Sequence, residues 1–242
     1  MNESHENGYC FFQLFTLYFF QLVFTHSRQK TFLSVLQLTH MLRYIPGLMD
    51  KGSPISVLFT GEIGSDSPLL YCEMIQKARY GESFQVSSQG CKVGAYVLGE
   101  NVTSPEDYYF DSGRYQNRQA AKRAVYSLHR LEKRAGSMKI TPYTGRDFNL
   151  LILFLKPERA MRLIHAFTWV RGDHIEMRTG GIASVCSDCT AYPVQGAPGV
   201  SLGCKGSRKH SRYADDEVVV GIPFDIAAEI DRALSKIPET FE

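Results

Sequence analysis

FNLLILFL, residues 148–155, is apolar at every position except Asn149. A strand that is buried on both faces of a sheet has this composition, because its alternating side chains meet a covering layer on each side. Pro157 opens a helical pattern directly afterwards, and Gly172 ends it. A buried strand followed by such a helix predicts an α/β (or α+β) domain, in which helices flank a mixed β-sheet.

An earlier part of the chain shows the same pattern. The strand-like run Ile55–Thr60 precedes a helix that starts at Pro68, and a second short strand is predicted at Ser83–Val86. The matching second strand of the later half is His174–Met177. We therefore predict two related β-α-β units that deliver cysteine turns, with Cys91 and Cys186, to a shared cleft; the alternative is a chance match of common turn residues. The glycines that suggest the repeat lie 91 positions apart in both cases: Gly81 with Gly172, and Gly90 with Gly181.

Composition narrows the class of protein. The chain has 242 residues, of which 44% are hydrophobic and 21% charged, as in an ordinary globular protein. Its net charge of +2 argues against a protein that coats nucleic acid, so no nucleic-acid partner is expected. Six cysteines are too few for a small disulfide scaffold. We expect a cytoplasmic protein with reduced thiols.

The N-terminal part differs in character. Residues 9–24 read YCFFQLFTLYFFQLVF, but no Lys or Arg precedes them, as one would in a signal peptide. The run is also shorter than the roughly 20 apolar residues of a membrane-spanning helix. We predict that residues 1–44 are an extension and that residues 45–242 form a single domain. A membrane partner is expected only if residues 9–25 are a genuine anchor.

The segment GGIASVCSDCTAYPVQGAPGVSLGCKGSRKHSR, residues 180–212, concentrates the chemistry. Cys186 and Cys189 have the two-residue spacing found in zinc sites, iron–sulfur sites and redox dithiols. Glycine-flanked Cys91 and Cys204 allow the backbone to approach a bulky cofactor. We predict a zinc or iron–sulfur site with Cys91, Cys186 and Cys204 as metal ligands, and Cys72 or Cys189 as the fourth thiol. The alternative is that these cysteines are small core residues.

The end of the same segment is basic. Gly206 loosens the loop and Arg208 supplies a guanidinium, which suits a small anionic ligand such as a phosphate or carboxylate. The spacing is not that of a nucleotide-binding P-loop. An ordinary surface loop is the alternative.

Several short motifs occur in order along the chain: Lys51–Val57, Lys77–Glu82, Gly90–Gly99, Ala160–Ile164, Ala183–Asp188, Leu202–Arg208, Asp215–Glu217 and Val220–Pro223. Together they resemble the family called domain of unknown function 169, which is encountered in archaea, methanogens among them, and in anaerobic bacteria. The resemblance covers about residues 45–240 and implies little about activity, because that family is uncharacterised. It places Cys72, Cys91, Cys186 and Cys204 at cysteines of the family's pattern, and it does not depend on Cys189.

Three functions are consistent with these residues. The first is a protein that binds a metal or iron–sulfur cofactor through Cys72, Cys91, Cys186 and Cys204, next to an anion site. The second is a metal-free enzyme in which the thiolate of Cys186 or Cys204 is the nucleophile or redox group. The third is a binding module for a small anion in which the cysteines are purely structural.

Overall fold

A computed structural model describes residues 41–132, 136–145, 147–177 and 179–238. Within these ranges seven strands form one mixed sheet, with the spatial order β2-β3-β4-β1-β5-β7-β6 for strands numbered along the chain. Neighbouring strands are antiparallel, except that β2 runs parallel to β3. The predicted α/β class is therefore confirmed. The strands are β1 (Ile55–Thr60), β2 (Ser65–Asp66), β3 (Phe84–Ser88), β4 (Ser137–Pro142), β5 (Leu150–Leu155), β6 (Gly199–Ser201) and β7 (Val218–Pro223).

Helices cover both faces of this sheet. A π-helix at Ser184–Ala191 is packed against the same face as the first α-helix, and short 3-10 turns occur at Pro46–Leu48 and Pro193–Gln195. The fifth and seventh α-helices lie on the opposite face. The α-helices are α1 (Tyr71–Arg79), α2 (Lys92–Val97), α3 (Asp107–Asp111), α4 (Arg118–Tyr126), α5 (Pro157–Arg171), α6 (Lys205–Ser211) and α7 (Phe224–Leu234).

Strand β5 shows why the apolar run determines the architecture. All six of its residues are buried. Leu150, Ile152 and Phe154 contribute to the core beneath α1 and the π-helix. The alternate residues, Leu151, Leu153 and Leu155, contribute to the core beneath α5 and α7. A strand without a polar face therefore requires a helical layer on each side, as the sequence predicted.

The two halves of the sheet repeat one topology. β1 and β5 are antiparallel neighbours at the centre, with Ile55 opposite Ile152. In each half the chain runs from the central strand, β1 or β5, to an outer strand, β3 or β6, and then through a helix that is capped by a cysteine. It returns as β4 or β7, which lies between the central and the outer strand. The predicted strand His174–Met177 is not formed, and β6 takes its place. The reason is that α5 leads to the far face, so the chain must cross back through the π-helix before it reaches the sheet edge.

This topology corrects which cysteines are equivalent. Cys72 in α1 corresponds to Cys186 in the π-helix, and Cys91 corresponds to Cys204 rather than to Cys186. Within each repeat the two cysteines are similarly spaced: Cys72 and Cys91 are 19 positions apart, and Cys186 and Cys204 are 18 apart. Both intervening turns contain a glycine of similar positive φ, +112° and +106°. The matched sequences are Val86-Ser87, Gly81 and Gly90-Cys91-Lys92 in the first repeat, and Val200-Ser201, Gly196 and Gly203-Cys204-Lys205 in the second.

The packed unit includes residues that the sequence analysis placed in the extension. Leu42 is buried against the α5 and α7 layer. The buried carboxylate of Asp231 accepts hydrogen bonds of 2.8–3.1 Å from the backbone N–H groups of Arg43, Tyr44 and Ile45. The apolar run at residues 9–24 lies outside the described residues. Among the described helices, none is long and apolar enough to cross a membrane.

Two glycines allow the π-helix to contact the sheet through its backbone. Gly199 and Gly221 are paired across β6 and β7. A Cβ atom at Gly221 would lie 2.2 Å from the carbonyl oxygen of Cys189, and one at Gly199 would lie 1.9 Å from that of Asp188. Only glycine permits so close an approach of two backbones.

We expect Gly221→Ala to destabilise the domain, because the π-helix must move away from the sheet to accommodate the methyl group. The free energy of unfolding should fall by about 1–3 kcal/mol or more, the usual range for overpacking. Urea unfolding followed by circular dichroism measures this change. Gly180→Ala is the matched control, since a Cβ there would meet only Ile182 at an ordinary 3.8 Å. Equal stability of the two variants would contradict the close packing.

Candidate functional site

Four of the cysteines line a single pocket, here called the thiol pocket. Cys72 and Cys91 come from the first repeat, and Cys186 and Cys204 come from the second. The pocket has a volume of about 170 Å³. Cys72 and Cys186 lie in the helix that precedes the outer strand of each repeat, and Cys91 and Cys204 cap the helix that follows it.

The first repeat fixes its two cysteines through Gln89. The buried side chain of Gln89 accepts hydrogen bonds from the backbone N–H of Tyr71 (3.2 Å) and of Cys91 (2.9 Å). It also donates to the carbonyl of Cys91 at 2.8 Å. The start of α1, which bears Cys72, is thereby held against the turn that bears Cys91. Cys91 then caps α2, with its sulfur accepting from the N–H of Gly94 at 3.4 Å.

The second repeat uses a π-helix for the same purpose. Ala183, which precedes the π-helix, has a φ of +51°, in the left-handed region that is costly for a residue with a side chain. Its carbonyl accepts a hydrogen bond from the buried Cys186 thiol at 3.4 Å. Cys204 caps α6 as Cys91 caps α2, with its sulfur accepting from the N–H of Ser207 at 3.2 Å. π-Helical turns occur frequently at functional sites.

Polar contacts join the two repeats around the pocket. The hydroxyl of Tyr71 is 3.0 Å from that of Thr190 in the π-helix. Ser211 in α6 donates to the carbonyl of Cys72 at 3.0 Å. His210 and Glu73 lie 3.1 Å apart, between α6 and α1. The pocket is thus a rigid junction between the repeats.

The four thiols differ in acidity. Burial raises the pKa of Cys72, Cys91 and Cys186 above the ordinary value for cysteine, and the neighbouring thiols raise it further. Burial acts in the same direction on Cys204, but the Ser207 hydroxyl and the backbone N–H groups of Ser184 and Ser207 stabilise the thiolate and outweigh it, so the pKa of Cys204 is lowered. One thiol of the four is therefore the easiest to ionise.

Two of the predicted site residues, Cys189 and Arg208, lie away from this pocket. The Cys189 thiol is fully buried against the sheet and donates to the carbonyl of Val219 at 3.4 Å. Arg208 does not line the thiol pocket. Its guanidinium donates to the carbonyls of Leu202, Ala214 and Glu217 and lies over the ring of Tyr213.

The remaining wall of the pocket was not found from the sequence. Tyr108 and Tyr109 belong to the short helix α3, and the guanidinium of Arg114 lies 5.3 and 5.0 Å from their ring centroids. Gly206, which the sequence did identify, and Lys205 lie at the start of α6 and also line the pocket. A short covering segment such as α3 leaves no periodic signal in a sequence.

No three cysteine, histidine, aspartate or glutamate side chains in the described part of the chain converge closely enough to hold a single metal ion. The four thiols therefore surround the pocket without meeting at one point. A ligand that contacted all of them would have to be larger than one ion.

A second cavity lies on the other side of the π-helix. It has a volume of about 350 Å³ and is lined by Asp188, Thr179 and Ile182, among other residues. Burial raises the pKa of Asp188 to about 6, although the hydroxyl of Ser201 donates to its carboxylate at 2.8 Å. The π-helix thus presents a thiol to one cavity and a carboxyl group to the other.

Comparison with known proteins places the chain in a family. The model of the domain of unknown function 169, described as an uncharacterised ArCR family, matches residues 50–232. The chain belongs to this family. The family assignment confirms the resemblance that the sequence motifs indicated.

A curated relative of this family member is an uncharacterised protein from the archaeon Methanocaldococcus jannaschii. The two sequences are 31% identical over 180 residues, which cover 70% of this chain and 77% of the relative. No solved structure matches the chain. The pocket geometry, rather than a relative's activity, therefore has to support any proposal about function.

Proposed function

We propose that this protein binds an iron–sulfur cluster in the thiol pocket, with Cys72, Cys91, Cys186 and Cys204 as its ligands. The observation that supports the proposal is the location of four thiols from four separate segments around one small cavity. Four cysteine thiolates are the usual ligand set of [2Fe–2S] and [4Fe–4S] clusters.

A cluster fits the spacing better than a single zinc ion does. Zinc–sulfur bonds are about 2.3 Å long, so two thiolates on one zinc ion lie within about 4 Å of each other. The described thiols do not converge in this way. In a four-iron cluster each thiolate binds a different iron, and the sulfurs surround the cofactor from separate directions. Four cysteines that line one pocket without converging on a single ion are consistent with this arrangement.

The residues around the thiols have a definite role in this proposal. Backbone N–H groups of Gly94 and Ser207 already point at the sulfurs of Cys91 and Cys204. Hydrogen bonds to ligand sulfurs and burial are the main means by which a protein sets the potential of a cluster. Burial keeps three of these cysteines as neutral thiols, and their protons must be released when the thiolates bind iron, so cofactor affinity should increase with pH.

The proposal is tested on the full chain purified without oxygen. We expect broad visible absorption and equal amounts of iron and acid-labile sulfide, about four of each per chain if the cluster is of the cubane type. One zinc per chain without sulfide, or a metal-free protein after anaerobic reconstitution with iron and sulfide, would overturn it.

The lowered pKa of Cys204 supports a second candidate, a thiol-dependent enzyme without metal. Cys204 is then the nucleophile, because the thiolate is the reactive form of cysteine. In the metal-free chain, we expect Cys204 to react with iodoacetamide at a lower pH than Cys72 and Cys91, whose pKa values are raised. Alkylation rates measured against pH by peptide mass spectrometry test this order. Ser207→Ala is expected to shift the Cys204 profile to higher pH, since it removes one of the hydrogen bonds that stabilise the thiolate.

Cytoplasmic localisation and the third candidate, a binding module with structural cysteines, stay predictions. A reducing compartment is required by both the cluster and the free-thiol proposals, because four neighbouring thiols would otherwise be oxidised. The binding module predicts that replacing the pocket cysteines by alanine leaves ligand binding unchanged.

A further inference from the structure

We propose that the mouth of the thiol pocket binds a small organic anion, a carboxylate or a phosphate ester, and directs it toward Cys204. This deepens the function proposed above by naming a ligand class for the same pocket. It rests on the charge of the mouth and does not require a cofactor to be present.

The rim of the pocket is cationic. Lys205, Lys209 and Arg114 all line it. Neither lysine forms an ion pair within the described ranges. The carboxylate nearest to the rim along α1 is that of Glu73, and it is already paired with His210. Three cations beside a pocket without a free carboxylate produce a positive potential, which attracts an anion.

The inner part of the pocket contains hydrogen-bond donors rather than charged side chains. The hydroxyl of Ser184 is fully buried and has no hydrogen-bond partner of ordinary geometry among the described residues. Ser184 and Cys204 both line the pocket, so this hydroxyl lies in the same space as the sulfur. Tyr109 is also buried and lines the same space. Such donors can bind the polar part of a ligand that reaches the sulfur.

Gly206 leaves space next to the sulfur of Cys204. A Cβ atom at Gly206 would lie 3.8 Å from the sulfur of Cys204. Glycine at this point of α6 therefore leaves the space in front of the sulfur free. The anion-binding role predicted for Gly206 is retained in this proposal, while Lys205 and Lys209 replace Arg208 as the cationic groups.

Two alkylating reagents that differ only in charge test the proposal. Iodoacetate and iodoacetamide both react by attack of the thiolate on the methylene carbon, with formation of a carbon–sulfur bond and release of iodide. The measurement is the ratio of their rates at Cys204 in the full chain after anaerobic chelation, with folding checked by circular dichroism. Two lysines close to an anion should increase the ratio roughly tenfold over a neutral pocket, and added salt should reduce it.

The double variant Lys205→Gln and Lys209→Gln is expected to lose this preference: the ratio of the iodoacetate rate to the iodoacetamide rate, which cancels any change in the thiolate fraction, should fall roughly tenfold to that of a neutral pocket. Lys236→Gln, which alters a lysine beside Trp169, should change neither rate. Inorganic phosphate should slow the iodoacetamide reaction of the wild type but not that of the double variant. An unchanged ratio in the double variant, or a ratio that does not depend on salt, would overturn the proposal. If the protein contains no iron or sulfide but Cys204 still prefers the anionic reagent, only the cluster proposal is refuted.

Discussion

Replacing any one of Cys72, Cys91, Cys186 or Cys204 by serine is expected to remove most of the iron and sulfide from the purified protein. A structural site with four metal ligands contributes about 10–16 kcal/mol in the case of zinc, so loss of one ligand should weaken binding a hundredfold or more. Iron and sulfide analysis after anaerobic purification measures the effect. The four variants should behave alike, because each repeat contributes an equivalent pair of thiols.

Cys189→Ser is the matched control for these variants. Cys189 is only three residues from Cys186 but faces the sheet, and a serine hydroxyl can still donate to the carbonyl of Val219. We expect this variant to keep the wild-type content of iron and sulfide. A variant set in which Cys189→Ser loses the cofactor and Cys72→Ser retains it would show that the ligand set is different from the one proposed.

Arg79→Met is expected to destabilise the domain strongly, because it removes one member of a buried ion pair. The guanidinium of Arg79 is 2% exposed and donates to both carboxylate oxygens of Glu217, at 2.7 and 3.2 Å. It also donates to the carbonyl of Lys51 and lies 4.8 Å from the ring centroid of Phe154. Removing one member of a buried pair leaves the other charge without compensation, which typically costs about 3–5 kcal/mol.

The dependence of stability on pH tests the same ion pair. Burial raises the pKa of Glu217, but the hydrogen bonds from Arg79 outweigh this and the pKa is lowered. A carboxyl group with a lowered pKa in the folded state stabilises the protein above its unfolded pKa, and that contribution is lost as the pH falls through the folded pKa. Urea unfolding of the wild type should therefore show declining stability below about pH 4. Arg79→Met should show a shallower decline, because Glu62 and Glu73 also have lowered pKa values and still contribute to it. The double variant Arg79→Met with Glu217→Leu should recover much of the lost stability.

The fold was largely predictable because its main determinant is local. β5 lacks a polar face, and the helix that follows it begins at Pro157 and ends at Gly172, as the sequence indicated. The repeat was predicted from the same pattern, but its second strand was assigned to His174–Met177. The glycine spacing could not reveal that α5 and α1 lie on opposite faces of the sheet, since this depends on packing between elements that are distant in sequence.

The thiol pocket was predictable in part for a similar reason. Glycine-flanked turns identified Cys91 and Cys204, and the two-residue spacing to Cys189 identified Cys186. Cys72 or Cys189 was left open as the fourth thiol, and the family resemblance included Cys72 but not Cys189. The choice between Cys72 and Cys189 requires the π-helix, whose wider turn orients Cys186 and Cys189 differently from an α-helix. The sequence could not show that the Arg208 guanidinium donates to three carbonyl groups, because such contacts leave no pattern in a sequence; its anion-binding role stays a prediction.

The central claim is that the four pocket thiols of the two repeats bind one shared cofactor. Its most direct test is a map of cysteine reactivity by alkylation and peptide mass spectrometry, with and without anaerobic removal of iron. We predict that Cys72, Cys91, Cys186 and Cys204 are all protected in the iron-bound protein and that all four are released together when the iron is removed. Cys189 should remain unreactive in both states because it is buried. Reactivity of the four thiols that is the same before and after iron removal would contradict the claim.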